Sequence, residues 1–404
     1  MHVLIIHQAF ALASEAGGTR HYEFARHLIG HGHRVTVVAS RVNYLTGADL
    51  KDELPGCGGR DVVIVRPYTY RALHKSFAHR ATSYVSFMFS SAFAALRVRG
   101  VDVVVGTSPP ILQGATAWLV ARLKGVPLVF EVRDLWPDFA IELQILKNPL
   151  IIGAARRLER FLYRRADRLL VNSPGFLTHV QAVSGRTPAL IPNGVDGSLF
   201  SPAASGADFR EQWNAAGRFV VLYAGAHGTA NNLETVLEAA KLLHEMPAIL
   251  FVFVGDGKEK GALEASARSA GLDNVRFERA QPKEAMPRVV AASDVCLAIL
   301  KDIPLFRTTY PNKVFDYMAA GKPTLVAIDG VIRQVVEESG GGVFVPPGDA
   351  RALAHALVEL AADRAGCARM GARAREFVLR KFNRNDQAEL FCALLKDCTV
   401  EAVA

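Results

Sequence analysis

The chain has few cysteines, no long apolar run and no dinucleotide-binding fingerprint. Its cysteines show neither CxxC nor Cys/His spacing, which argues against structural zinc and favours a reducing compartment; they are Cys57, Cys296, Cys367, Cys392 and Cys398. No segment reaches the ~18 uninterrupted apolar residues that span a bilayer. The first residues, MHVLIIHQAF, carry no basic leader, so we expect a first strand there and no signal peptide.

Length and charge set further bounds. A chain of 404 residues suits two domains of about 200 residues each. With 50% hydrophobic and 21% charged residues the chain is globular and not disordered. The net charge of +8 favours contact with phosphates or with an anionic membrane surface. The basic residues do not collect with aromatics in a nucleic-acid-binding motif, so we expect no nucleic-acid partner.

Short β-branched runs alternate with amphipathic helical stretches, which predicts parallel sheets with helices on both faces. The predicted strands cover 2–6, 35–39, 62–65, 101–105, 128–132, 168–172, 189–191, 219–224, 249–254, 275–277, 295–299, 324–326 and 343–345. Predicted helical stretches cover 22–32, 154–168, 233–244, 286–292, 350–362 and 368–396.

We therefore predict an α/β chain with two doubly wound, Rossmann-like domains that face each other across a ligand cleft. The expected boundaries are 1–196 for the first domain and 203–384 for the second. The last residues, 385–404, are expected to form a helix that can cross back onto the first domain.

The stretch 309–329, TYPNKVFDYMAAGKPTLVAID, predicts a short helix between two strands. Asn312 suits the N-cap and Gly321 the position after the C-cap. Free N–H groups are then expected at Asn312, Lys313 and Val314. Such a helix start attracts anions, and Lys313 adds positive charge beside it.

Asp316 lies one turn further into this helix. A carboxylate behind a phosphate-binding helix start can accept hydrogen bonds from the vicinal hydroxyls of a ribose. The stretch therefore suggests a nucleotide site. The alternative at this point is an ordinary capped core helix of an α/β domain.

Two further loops combine glycine with the end of a predicted strand. Gly17-Gly18-Thr19-Arg20 and the loop that begins at Gly225 both lead from a strand into a helix, where backbone N–H groups can approach a phosphate. Lys258 and Lys260 follow strand 249–254, where an ammonium could reach a diphosphate or lie on the surface as an ordinary charge.

Arg133 and Asp134 directly follow the buried strand 128–132. The carboxyl ends of strands carry the ligand site in open α/β sheets, so these side chains are candidates for chemistry. They could equally form a salt bridge that fixes the loop.

The segment 71–99 places basic residues ahead of aromatic ones, as in a helix that lies on a membrane surface. The basic residues are Arg71, His74, Lys75, His79 and Arg80, and the aromatic and sulfur-bearing ones are Tyr84, Phe87, Met88, Phe89 and Phe93. The same aromatics could be ordinary core. The arginine-rich stretch 154–168 could strengthen membrane association or form a solvated face.

The chain resembles the nucleotide-sugar glycosyltransferases of family 4 with the GT-B fold, and the resemblance covers nearly all of it. It looks most like the bacterial enzymes of surface-polysaccharide assembly that include the N-acetyl-L-fucosaminyl transferases. The stretches that carry the resemblance are Gly17-Gly18-Thr19-Arg20, EVRDLWPD from Glu131, NSPGF from Asn172, IPNGVD from Ile191, YAGAHGTANNLETVLEAA from Tyr223, FVGDGKEK from Phe253 and YPNKVFDYMAAGKPT from Tyr310.

The resemblance implies roles for individual residues. Asp316 takes the place of the second glutamate of the family's Glu-x7-Glu signature and would hold the ribose. Lys313 and Val314 would present the helix start to the donor diphosphate, and Lys260, or alternatively Lys258, would supply a cation. The backbone near Gln281 would meet the base, and Gly18 would let its loop close on the diphosphate.

The full set of residues that we expect at the donor is Gly17, Gly18, Arg20, Gly225, His227, Gly228, Lys258, Lys260, Gln281, Thr308, Asn312, Lys313, Val314 and Asp316. The candidates for catalysis are Arg133, Asp134 and Lys260.

Two positions depart from the family pattern. The first glutamate of the signature, which contacts the donor sugar in the family, falls at Thr308. The frequent histidine after the first-domain strand appears as Arg133. Both changes suggest an unusual donor sugar, such as a deoxy or acetamido sugar.

The resemblance implies a retaining glycosyltransferase without a protein nucleophile, in which the leaving phosphate helps to deprotonate the acceptor. No DxD motif is present, and N–H dipoles and lysines can stabilise the leaving diphosphate, so we expect no cofactor and no metal. The expected partners are a UDP-linked sugar donor, a lipid-linked saccharide acceptor and an anionic membrane, with the enzyme peripheral on the inner face of the plasma membrane. The alternatives are a nucleotide-sugar 2-epimerase and a catalytically inactive binding partner.

Overall fold

The structure, a computed structural model, describes residues 1–50, 62–71 and 77–401. The chain divides into two compact units. The first unit takes in the described residues of Met1–Ala13, Gly17–Pro192 and Asn385–Ala404, and the second takes in Ser14–Ala16 and Asn193–Arg384.

The first unit is a seven-stranded parallel sheet between helices, with strand order β3-β2-β1-β4-β5-β6-β7. Its strands are β1 (His2–Ile6), β2 (Arg34–Val38), β3 (Val63–Val65), β4 (Val103–Ser108), β5 (Leu128–Val132), β6 (Arg168–Val171) and β7 (Ala189–Leu190). Its helices before the second unit are α1 (Arg20–Gly30), α2 (Phe77–Arg97), α3 (Ile111–Lys124), α4 (Asp138–Glu142), α5 (Pro149–Arg165) and α6 (Leu177–Ser184), with a 3-10 turn at Pro174–Phe176. The central strands are buried on both faces, which explains their continuous apolar runs.

The second unit is a six-stranded parallel sheet with strand order β10-β9-β8-β11-β12-β13. Its strands are β8 (Phe219–Ala224), β9 (Ile249–Val254), β10 (Val275–Glu278), β11 (Val295–Ile299), β12 (Thr324–Ala327) and β13 (Gly342–Phe344). Its helices are α7 (Ala207–Gln212), α8 (Leu233–Leu242), α9 (Lys260–Ser269), α10 (Met286–Ala291), α11 (Asn312–Ala319), α12 (Val331–Ser339), α13 (Ala350–Ala362) and α14 (Arg364–Lys381). Its 3-10 turns lie at Thr229–Asn231, Lys283–Ala285 and Pro304–Thr308.

Both units are doubly wound, which confirms the predicted α/β fold class. In each sheet the chain starts at a central strand, builds outward on one side and then returns to build the other side. The reversal falls between β1 and β4 in the first unit and between β8 and β11 in the second. Loops that leave the carboxyl ends of strands at such a reversal form a crevice that suits a ligand.

The helical material near the C-terminus differs from the prediction of one stretch over 368–396. Helix α14 ends before Phe382, and α15 (Arg384–Glu401) begins after Asn383. The N–H of Val195 donates to the carbonyl of Phe382 (3.0 Å), and the Phe382 ring is buried in the core of the second unit. This tertiary contact interrupts a helix that local sequence alone favours. From Asn385 onward α15 belongs to the first unit, where Phe391 stacks on Phe24.

Helix α2 carries both buried and exposed aromatic side chains, and its place on a membrane surface stays a prediction. Phe87 is fully buried, whereas Phe89 and Phe93 are 66% and 60% exposed. The predicted basic residues His74 and Lys75 lie outside the described residues. Across the described ranges no helix has the length and hydropathy that crossing a bilayer requires.

Candidate functional site

The loops at the carboxyl ends of β8 and β9 pack closely against each other. The N–H of His227 donates to the carbonyl of Asp256 (2.8 Å), and the N–H of Glu259 donates to the carbonyl of His227 (2.9 Å). A Cβ atom at Gly255 would lie 1.9 Å from the carbonyl oxygen of Gly225, and one at Gly257 would lie 2.3 Å from that of His227. Glycine is therefore required at 255 and 257 because backbone occupies the space of a side chain.

His227 lies at the centre of this loop pair and is fully buried. Its ring packs among Tyr223, Phe253 and Phe277. Neither ring nitrogen has a hydrogen-bond partner among the described residues. Burial, followed by the charges of Lys260 and Lys313, lowers the pKa of His227 to about 4. The imidazole is therefore neutral near pH 7 and can offer a hydrogen bond but no positive charge.

Lys313 supplies the positive charge at this place. Its Nζ lies 3.9 Å from the centroid of the Tyr223 ring. A Cβ atom at Gly225 would lie 2.5 Å from the same Nζ. The ammonium thus rests against the loop that leaves β8, beside the strand-order reversal of this sheet. Burial lowers the pKa of Lys313 to about 7. An anion bound here would favour the charged form and raise that pKa.

The start of α11 differs in two details from the prediction. Pro311 and not Asn312 is the N-cap residue, and Asn312 is the first residue of the helix. The N–H of Val314 donates to the carbonyl of Pro311 (3.1 Å), so it is not free. Proline before the helix fixes an extended backbone that the sequence pattern assigned to the next residue. Gly321 does follow the C-cap residue Ala320, with a φ of +71°.

Asp316 is held by a lysine that the sequence analysis did not identify. The Nζ of Lys283 donates to Oδ2 of Asp316 (2.6 Å), and both side chains are largely buried. The same ammonium lies 4.6 Å from the centroid of the Phe200 ring. Lys283 is 33 residues away in sequence and follows no recognised motif, so no local signal points to it. The pair fixes the carboxylate one turn behind the helix start.

The remaining predicted donor residues of the second unit differ in how they are held. Nζ of Lys260 donates to the carbonyls of Gly255 (2.9 Å) and Glu278 (2.7 Å), whereas Lys258 is exposed. Gly228 has room for a side chain. The hydroxyl of Thr308 donates to the carbonyl of Leu305 (2.6 Å), and the side-chain amide of half-buried Gln281 donates to the carbonyl of Arg279 (3.4 Å). Their roles at a donor stay predictions.

In the first unit, Arg20 is buried and used by the chain itself. Its guanidinium donates to Glu131 (2.9 Å) and to the carbonyls of Pro192 and Ile191. Burial opposes ionisation of Glu131, but Arg20 and then His21 outweigh it and hold the pKa of this carboxyl well below its ordinary range. Arg20 thus also holds the chain together at this place, and its binding of a diphosphate stays a prediction.

Gly17 and Gly18 lie just before this arginine. Gly17 has a φ of +148°, and a Cβ atom there would lie 3.0 Å from both Ala11 and the Tyr44 ring. The N–H of Gly18 donates to the hydroxyl of Tyr44 (3.3 Å). The loop is thus closely packed at Gly17 and open at Gly18, where nothing lies within 4 Å of a Cβ position.

Arg133 and Asp134 lie at the carboxyl end of β5, as predicted. Arg133 donates to the hydroxyl of Thr107 (2.7 Å) and to the carbonyl of Pro109 (3.2 Å). No ion pair joins Arg133 to Asp134 in the described part of the chain, so the alternative of a loop-fixing salt bridge is not realised. Burial raises the pKa of Asp134 to about 6, against the effect of Arg133.

His7, which the sequence analysis did not single out, lies beside these residues. It directly follows β1, is 1% exposed, and neither ring nitrogen has a partner among the described residues. Its ring lies 4.5 Å from that of His21 between centroids. Burial, and then Arg133, hold the pKa of His7 well below its ordinary value. The signal that could have found it is its place after a central strand.

No group of three or more His, Cys, Asp or Glu side chains in residues 1–50, 62–71 and 77–401 is arranged to hold a metal ion.

Two protein families match this chain, each over a different stretch. Residues 206–377 match the family described as Glycosyl transferases group 1, and residues 16–194 match the Glycosyl transferase 4-like domain.

Among curated proteins, the probable glycosyltransferase WbjE of Pseudomonas aeruginosa is 28% identical over 69% of this chain and 71% of that protein. The putative colanic acid biosynthesis glycosyl transferase WcaI of Escherichia coli is 26% identical, over 66% of this chain and 69% of that protein. The UDP-Gal:alpha-D-GlcNAc-diphosphoundecaprenol alpha-1,3-galactosyltransferase of Escherichia coli is 25% identical over 62% of this chain and 64% of that protein.

Solved structures agree in fold. Sucrose-phosphate synthase of Thermosynechococcus elongatus superposes with a TM-score of 0.79 at 20% identity and covers 100% of both chains. Anabaena Alr3699/HepE in complex with UDP and glucose gives a TM-score of 0.75 at 18% identity, over 98% of this chain and 99% of that one.

Proposed function

We propose that this chain, whose two halves match glycosyltransferase domains on a GT-B fold, is a glycosyltransferase that moves a sugar from a UDP-linked donor to a lipid-linked saccharide with retention of configuration. The name of the WcaI relative places that protein in colanic acid biosynthesis. The name of the galactosyltransferase relative, whose acceptor is a diphosphoundecaprenol-linked sugar, supports the class of acceptor.

The observation that carries the proposal is the position of Lys313. Its ammonium lies against the β8 loop at the strand-order reversal, and Asp316 follows one turn along the same helix. In this proposal the ammonium of Lys313 meets the diphosphate of the nucleotide, and the carboxylate of Asp316 meets its ribose. Negative charge develops on the diphosphate as the sugar leaves, and a preorganised cation stabilises it.

We assign the remaining charge stabilisation to the chain's own groups, without a resident metal or cofactor. Lys260 is anchored on two carbonyls close to the β9 loop and is the second cation of the proposal. In the retaining mechanism the leaving phosphate accepts the acceptor's proton, so no protein nucleophile is assigned. Arg133 and Asp134 would position the acceptor at the first unit. Thr308 in place of a glutamate favours a deoxy or acetamido donor sugar.

We further propose that the enzyme binds peripherally to the inner face of the plasma membrane. On α2, Phe89 and Phe93 are exposed, and the Arg97 guanidinium lies 3.7 Å from the centroid of the Phe93 ring. On α5, Leu150 is 82% exposed, ahead of the arginine-rich part of that helix. Exposed apolar side chains beside basic ones suit an anionic lipid surface.

The proposal is tested by nucleotide binding and donor hydrolysis. UDP, GDP, CDP and ADP are compared by thermal shift on the wild type, on Asp316→Ala and on the control Asp302→Ala, which alters an exposed carboxylate of the same unit. A ligand that binds the folded state raises the melting temperature. We expect a shift with UDP that Asp316→Ala loses and Asp302→Ala keeps, together with slow release of UDP from a UDP-sugar. Absence of any shift would refute the donor site, and binding without turnover would favour an inactive partner.

A further inference from the structure

A cavity of about 530 Å³ lies in the first unit, apart from the residues described above. Arg41, Asp49, Tyr68, Tyr70 and Arg71 contribute to its lining. These residues follow β2 and β3, so the cavity opens beyond the carboxyl ends of two parallel strands. That edge of a doubly wound sheet is where ligands bind.

One wall of the cavity is the turn formed by residues 41–50, which backbone hydrogen bonds stabilise. The N–H of Leu50 donates to the carbonyl of Arg41 (2.7 Å), and the N–H of Asn43 donates to that of Ala48 (2.9 Å). The side chain of Asn43 also accepts from the N–H of Leu45 (2.9 Å). This turn includes Tyr44, whose hydroxyl accepts from Gly18. The wall is therefore continuous with the glycine loop after β1.

The opposite wall is tied to α2. The hydroxyl of Ser90 donates to the carbonyl of Tyr68 (2.6 Å), and the hydroxyl of Ser86 accepts from the N–H of Tyr70 (2.9 Å). Both walls are thus formed before a ligand arrives. A preformed site binds with little cost of ordering. The cavity also lies directly beside the helix whose exposed Phe89 and Phe93 we assign to the lipid surface.

The lining combines the groups that recognise a sugar. Tyr68 is 59% exposed and offers an apolar ring face with a polar edge. Asp49 and Arg71 form an ion pair, which places hydrogen-bond acceptors and donors side by side, as vicinal hydroxyls require. The carboxylate of Asp49 neutralises the guanidinium of Arg71, so this pair offers no net positive charge to a phosphate. A neutral polyhydroxyl ligand fits this combination better than an anion does.

We propose that this cavity is a saccharide subsite that holds a sugar of the acceptor other than the one that receives the transferred residue. The inference rests on the proposed transferase function. It places the acceptor's saccharide between the lipid surface at α2 and the glycine loop after β1. Binding at such a subsite contributes equally to the ground state and the transition state, so it lowers KM and leaves kcat unchanged.

Saturation-transfer NMR with the methyl glycosides of glucose, galactose and N-acetylglucosamine tests the subsite on the full chain. The variants are Tyr68→Ala and Arg41→Ala, and the control is Tyr84→Ala, another exposed tyrosine, on α2. We expect at least one glycoside to bind the wild type and Tyr84→Ala alike. Its Kd should rise roughly tenfold in Tyr68→Ala, since tenfold corresponds to the loss of one stacked ring. UDP thermal shifts should be equal in all four proteins.

Three results would overturn the inference. The first is that no glycoside binds to the wild type. The second is that Tyr68→Ala and Arg41→Ala bind the glycoside as well as the wild type does. The third is that inorganic pyrophosphate displaces the glycoside, which would indicate an anion site. The UDP measurement separates the two proposals. A wild type that shifts with UDP but binds no glycoside loses only the subsite, whereas one without a UDP shift loses the proposed function as well.

Discussion

Replacing Lys313 by methionine is expected to stabilise the ligand-free protein and at the same time to weaken nucleotide binding. Burial lowers the pKa of Lys313 from 10.5 to about 7. In the unfolded chain the same ammonium stays charged up to its ordinary pKa. Burying this ammonium therefore lowers the free energy of unfolding at every pH below 10.5. The penalty decreases as pH rises from 7 to 10.5, because the folded protein then holds the neutral amine. Methionine has a similar unbranched shape and carries no charge to desolvate.

The magnitude follows from the size of the shift. The fall in the pKa of Lys313 from 10.5 to about 7 corresponds to about 5 kcal/mol. Lys313 is only partly buried, so screening by solvent reduces the penalty to about 2–3 kcal/mol. Loss of the contact with the Tyr223 ring removes about 0.5–1 kcal/mol. The net gain of about 1–2 kcal/mol corresponds to a rise in Tm of about 2–8 °C for a unit of this size.

Nucleotide binding should change in the opposite direction. A hydrogen bond to a charged group contributes about 1.5–3 kcal/mol, so the Kd for UDP should rise about 10- to 100-fold in Lys313→Met. In the wild type, UDP at 100 times its Kd stabilises the fold by about 2.7 kcal/mol. At the same UDP concentration about 1.3–2.3 kcal/mol of that stabilisation should be absent in the variant.

The assay is differential scanning fluorimetry at pH 7 and pH 9, with and without UDP. Lys322→Met is the matched control, because Lys322 follows the other end of α11 and its ammonium donates to the carbonyls of Ala291 and Ser293. That variant should lose stability and keep its UDP shift. The gain in Lys313→Met should be smaller at pH 9 than at pH 7. A Lys313→Met protein that melts lower than the wild type and keeps its full UDP shift would refute the reasoning.

Three further predictions concern other parts of the molecule. Gly255→Ala should lower the free energy of unfolding by about 2 kcal/mol or more, whereas Gly228→Ala, where the space is open, should change it little in urea titrations. Glu131→Gln should lower the free energy of unfolding by about 3–5 kcal/mol at pH 7. Because the pKa of Glu131 is depressed in the folded protein, this carboxylate stabilises the fold above about pH 4.5, and that stabilisation is lost as pH falls below it. The variant should therefore lose less stability than the wild type below about pH 4.5, and an equal loss in both proteins would contradict this. Phe89→Ser combined with Phe93→Ser should abolish sedimentation with phosphatidylglycerol vesicles and leave UDP binding intact, and sedimentation equal to the wild type would remove α2 from the membrane surface.

Local sequence determined the regular elements. Strands β1, β5, β8, β9 and β11 and helix α13 begin and end at the residues that the pattern predicts. Buried parallel strands are continuous apolar runs bounded by turn residues, and helices repeat their apolar positions with the helical period, so both patterns are visible within ten residues. The alternation of the two element types also determined the doubly wound class.

The sequence also located part of the candidate site. Gly225, Lys313 and Asp316 were identified because a glycine after a strand and charged residues in the first turns of a helix have local signatures. The structure changed the details at the helix start, where Pro311 rather than Asn312 caps the helix and Val314 already uses its N–H. Such details depend on backbone dihedral angles that residue identity constrains only loosely.

Only the tertiary structure decided the partners of the charged side chains. Asp316 pairs with Lys283, Arg20 with Glu131 across 111 residues, and the ammonium of Lys313 lies over Tyr223. These contacts arise because strand order brings together loops that are far apart in the chain. The same packing buries His227 and lowers its pKa, so that a histidine expected at the nucleotide-sugar donor carries no charge near pH 7. Burial and charge at a site are set by what surrounds each group in space, and a linear pattern records only its neighbours along the chain.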